Sequence, residues 1–79
     1  MLQWKKVPYQ DDTFVVTVGL FHMILNKPSP NDQRWYFRCH NLEIARYLQA
    51  TFVIDAQNEA ADLVASILKE YLTQLMPRN

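Results

Sequence analysis

Cys39 and His40 are adjacent, and His22 lies upstream of them; they are the chain's one thiol and its two imidazoles. A cysteine nucleophile acts as a thiolate, with a base in reach and an electropositive, accessible setting. Neighbours on a strand point to opposite faces, so His40 is not placed to serve Cys39. His22 is expected on the same face as Cys39, two residue pairs along, which is about 7 Å by strand rise alone. We read Cys39 as a buried structural thiol beside Leu20. Zinc asks for about four ligands with paired close spacings, and that pattern is missing, so no metal site is expected. Asp11 and Asp12 sit in a turn and diverge. Glu59 and Asp62 share a polar helix face and are read as solvated surface charge, a setting that rarely supports catalysis. No catalytic residue and no cofactor is assigned, and the single glycine excludes a Gly-rich phosphate loop.

Binding chemistry is better represented. Arg34-Trp35-Tyr36-Phe37-Arg38 interleaves cations with aromatics. Single-stranded nucleic acid is held by stacking on aromatic side chains along a basic groove. Tyr36 between Arg34 and Arg38, with Phe21, Met23 and Lys5 nearby, fits that description. Eight basic and eight acidic side chains cancel, however, so the electrostatic footprint of such a binder is missing. Phe21, Met23, Leu25, Tyr36 and Arg38, with Arg34 at their edge, suit protein contact better. Aromatics, methionine and arginine are enriched at interface centres.

The elements that must position these residues start with Phe14–Leu25, the longest apolar run. Its valines and phenylalanines favour a strand, and Gly19 is tolerated there as a bulge. The spacing predicts one long central strand. Its even residues, Phe14, Val16, Val18, Leu20, His22 and Ile24, face the core. Its odd residues are left for a partner, unless a neighbouring segment covers them. A first strand over Leu2–Val7 turns at Pro8–Asp12, setting Val7 opposite Thr13 and Trp4 opposite Val16. Pro28 and Pro30 stiffen the next loop. A third strand, Arg34–Cys39, follows with Leu25 opposite Arg34 and with Trp35, Phe37 and Cys39 inward. Asn41 caps a short helix over residues 42–50. Asp55 caps a long helix from Ala56 to about Met76, stopped by Pro77. Ala60, Leu63, Val64, Ile67, Tyr71 and Leu75 form its apolar stripe, and Ala61, Leu68 and Leu72 widen it. The widened flank has two candidate covers, the 42–50 helix and another subunit.

These elements make an α+β domain over residues 1–79: a three-stranded antiparallel meander packed on a long C-terminal helix (β-β-β-α). That length is near the lower limit for a self-sufficient core. A hydrophobic content of 49% argues against disorder. One cysteine and a basic N-terminal stretch without an apolar core fit a cytoplasmic protein with no membrane contact. The expected function is a non-catalytic protein-binding module, of adaptor or inhibitor type. Its candidate partners are a second copy of the chain or a protein of another kind. A nucleic-acid-binding accessory domain using the Arg/Tyr face is the alternative. On size alone, the chain also compares with the small inhibitors that phages direct at host protein complexes.

Overall fold

The chain's one glycine decides the arrangement of the sheet. In the computed structural model, which describes residues 2–76, Gly19 has φ +59 and splits the central apolar run in two. Strand β2 (Thr13–Val18) turns through Gly19-Leu20 into β3 (Phe21–Asn26). Leu20 is not among the residues with positive φ. A two-residue loop with glycine at its first central position is the II′ hairpin turn, whose twist matches that of the flanking strands.

That turn corrects the expected facing. A two-residue loop pairs even positions with odd ones: Phe14 with Leu25, Val16 with Met23, Val18 with Phe21. The core face therefore carries Phe14, Val16 and Val18 from β2, but Phe21, Met23 and Leu25 from β3. His22 and Ile24, expected inside, lie on the other face with Val15 and Thr17. The inverse assignment of β3 follows from treating Phe14–Leu25 as one strand.

The first turn is as the sequence implies. Lys5 pairs with Val15 and Lys6 with Phe14 in β1 (Lys5–Lys6), and the Val7 N–H donates to the Thr13 carbonyl at 2.9 Å. Leu2 and Trp4 pack against the core. Asp12 takes the left-handed conformation (φ 48) that aspartate tolerates in turns.

The third pairing is shifted. Leu25 faces Phe37, not Arg34, and Met23 faces Cys39 along β4 (Tyr36–Cys39). The Pro28–Asp32 loop closes on itself: the Ser29 N–H donates to Asp32 Oδ2 at 3.1 Å, and the Asp32 N–H to the Ser29 carbonyl at 3.0 Å. Trp35, Phe37 and Cys39 are buried, as their alternation predicts.

No helix forms over residues 42–50. A single 3-10 turn, His40–Leu42, and Glu43 at φ 55 reverse the chain into a further strand, β5 (Ile44–Tyr47). The Leu42–Ala50 composition suits a helix, but tertiary packing overrides it. Ile44 and Leu48 are buried while Arg46 between them stays exposed at the sheet edge. That cation masks the period of two. The sheet is a five-stranded antiparallel meander in the order β1-β2-β3-β4-β5.

Helix α1 (Val53–Leu75) lies across the core face. It starts before the expected cap: Asp55 is in its first turn, where its charge suits the helix dipole. Phe52 is the N-cap and has no side-chain cap bond. Met76, preceding Pro77, is extended (φ −74, ψ 136), as a residue before proline prefers. Pro77 itself lies outside the described residues. Ala56, Ala60 and Val64 are buried together with Leu25, Phe37 and Cys39.

Candidate protein-interaction surface

The six residues expected to form one contact surface are divided between the two faces of the sheet. Met23 and Leu25 are buried in the core, and Phe21 is partly buried against it. Tyr36 and Arg38 project from the opposite face, because they alternate with Phe37 and Cys39. Arg34 is exposed beside them: its guanidinium lies 5.6 Å from the Tyr47 ring centroid.

The outer face of the sheet exposes Thr17, His22, Arg38, Ala45 and Tyr47. Tyr36 pairs with Tyr47 across β4 and β5, and their rings meet edge to face at 5.0 Å. The Tyr47 hydroxyl reaches Asp32 Oδ2 at 3.4 Å. Local desolvation first, and Asp32 beside it second, raise the Tyr47 phenol above the ordinary value of 10.0. Lys27 reaches the Trp35 ring at 5.2 Å and so packs on a core aromatic. Asn26 Oδ1 is buried without a hydrogen-bond partner.

The thiol and imidazole groups are also separated. Cys39 is fully buried on the core face between Met23 and Ile44, not beside Leu20. His22 is on the outer face, its Nδ1 2.9 Å from the Thr17 hydroxyl. Glu59 is no solvated acid. Its carboxylate accepts the Gln49 N–H at 2.9 and 3.0 Å and the Ala50 N–H at 3.0 Å, which fastens the stretch after β5 to the helix. Among the described residues, no three His, Cys, Asp or Glu side chains cluster as metal ligands. No described helix is long and apolar enough to cross a membrane.

A run of exposed apolar side chains lies where the helix outruns the sheet. A helix of 23 residues is about 35 Å long, whereas a strand of 6 residues is about 20 Å. Leu68 is level with Val18 and Phe21, the last pair before the hairpin turn, around an apolar notch of about 220 Å³ that Leu2 and Ala65 also line. Beyond Leu68 the helix continues for about two turns, and none of its described residues there belongs to the core or packs against it. The stripe continues too. Tyr71, Leu72, Leu75 and Met76 are 47, 58, 81 and 59% exposed, and Leu20 at the hairpin tip is 86% exposed. The molecule measures 52 × 23 × 21 Å, and its radius of gyration is 13.9 Å. A compact domain of this length has about 11.6 Å.

Sequence reasoning placed Tyr71, Leu72 and Leu75 on the apolar side of the helix but did not separate them from the core. The signal that does so is length: a stripe this long needs strands longer than any in the sheet. No protein-family model, curated protein or solved structure matches the chain.

Proposed function

We propose that the protein is a non-catalytic protein-binding module of adaptor or inhibitor type, working through the overhanging end of α1 and the neighbouring hairpin tip. One observation carries this reading: the same apolar stripe that packs on the sheet up to Leu68 runs on, uncovered, through Tyr71, Leu72 and Leu75. Exposed large apolar groups gathered in one patch mark contact sites, whereas singly scattered ones do not. The interface thus moves from Phe21, Met23 and Leu25, which serve the core, to the helix segment beyond them.

The test is a photoreactive phenylalanine analogue placed at Leu75 and, as control, at Arg38, with irradiation in the producing cell. The expected result is a discrete protein adduct from position 75 that disappears when Leu72→Glu is added. No discrete adduct from position 75 would remove the reading.

A second reading has its own support. Tyr36, Tyr47, Arg34 and Arg38 gather on the outer side of the sheet, as a base-stacking platform needs. It predicts salt-sensitive binding of a single-stranded oligonucleotide that Tyr36→Ala and Arg38→Ala abolish. Failure to bind at low salt excludes it.

A further inference from the structure

Accepting the overhang as the contact surface, we infer that its partner is a second copy of this chain, related by a two-fold axis near Leu72. The argument starts from shape. The molecule is a step: helix on sheet up to Leu68, then helix alone. The missing layer over residues 69–76 is one helix thick and about 12 Å long. It is open on the side where the sheet ends. The element that fits is a short helical segment with an apolar face, and the same segment of a second copy supplies it. A two-fold axis between the overhangs sets them antiparallel, each completing the other's absent layer. Each C-terminal turn then abuts the partner's hairpin tip at Leu20 and the apolar notch behind it. A surface that serves as both knob and recess on one molecule is what an isologous contact requires.

Charge agrees with shape. No residue from Tyr71 to Met76 is charged. At 100° per residue, Lys69 and Glu70 lie on opposite flanks, about 110° and 150° from the centre of Tyr71, Leu72 and Leu75, with Met76 toward the Lys69 flank. A two-fold antiparallel pairing keeps both out of the seam, so no like charges meet. A strongly charged partner finds no charged side chain from Tyr71 to Met76 to pair with.

Area agrees as well. At about 100 Å² of apolar surface per large exposed side chain, the overhang and Leu20 offer roughly 500 Å². A standard interface buries about 800 Å² per partner, of which some 57%, or about 450 Å², is apolar. The four exposed apolar side chains of the overhang supply about 400 Å² of that share, and contact with the partner copy's hairpin tip at Leu20 completes it.

Sedimentation equilibrium on the full chain from about 1 to 200 µM tests the inference. The expected mass rises with concentration from 9.4 kDa to twice that value. Leu72→Glu/Leu75→Glu is expected to stay at the monomer mass with unchanged circular dichroism, since both positions are exposed. Tyr36→Ala/Arg38→Ala, on the outer face, is expected to dimerise like the parent. A parent chain that remains at 9.4 kDa throughout, or a dimer that survives the double glutamate substitution, overturns the inference. The photo-adduct at position 75 keeps the two readings apart. An adduct of twice the chain mass supports the second copy. An adduct with a different protein from a chain that stays monomeric ends this inference and leaves the binding-module reading standing. No adduct ends both.

Discussion

The two halves of α1 have one pattern and two fates. From Val53 to Val64 the stripe positions Ala56, Ala60 and Val64 are buried against the sheet. From Leu68 to Met76 the same period places larger apolar groups, and most of them face water. The covered half uses small residues, which bring the helix close to a flat layer. The overhanging half uses leucine, tyrosine and methionine, which project. Periodicity thus tells which face of a helix is apolar; only the length of the facing layer tells how much of it is core.

The sharpest way to break this comparison is to make one substitution on both sides of it. Leu25→Ala, under the covered half, is expected to cost about 3 kcal/mol or more in urea denaturation, the usual loss for a buried leucine. Leu75→Ala in dilute solution is expected to change stability by no more than about 0.5 kcal/mol, as surface changes do. Equal losses would mean that the overhang is core after all. Glu59→Ala removes the carboxylate that anchors the covered half to Gln49 and Ala50. Hydrogen bonds to a charged group are worth about 1.5–3 kcal/mol, so a loss near 2 kcal/mol is expected in the same assay. A neutral result would detach that clamp from the account.

Gly19→Ala probes what sets the hairpin tip level with Leu68. Nothing lies within 4 Å of the added methyl group, so any cost is backbone strain at φ +59. We expect a loss of about 1–2 kcal/mol, with little loss for D-alanine at the same position. Equal effects from both enantiomers would contradict the turn assignment. The smallest effect concerns Tyr47, on the outer face. Its raised phenol is protonated in both folded and unfolded chains below the ordinary value of 10.0, so its contribution to stability is constant there. As pH rises above that value the unfolded chain ionises first, and stability falls. Spectrophotometric titration should show Asp32→Asn moving this phenol part of the way back, since desolvation, the larger cause, remains.

Much of the fold was legible in the sequence. The α+β class, the antiparallel meander and the long final helix follow from β-branched runs and a 3.6-residue stripe. The register of the first turn follows from Val7 meeting Thr13. Two features hid the rest. Gly19-Leu20 sits inside an unbroken apolar run, so the turn lacks the polar punctuation that usually marks a hairpin. Reading through it reversed the facing of Phe21, Met23 and Leu25, and the proposed contact set lost half its members to the core. Arg46, at an edge position open to solvent, concealed the strand formed by Ile44–Tyr47. The overhang was visible only as a stripe wider than a core-facing helix needs.

Amide hydrogen exchange along α1, measured at low and high protein concentration, tests the account most directly. Protection of the amides from Leu68 to Met76 is predicted to rise with concentration by more than that of Ala56 to Val64, which gain only the global stabilisation of dimerisation. Exchange in both halves that is independent of concentration would contradict the claim that the overhang is a contact surface for a second copy of the chain.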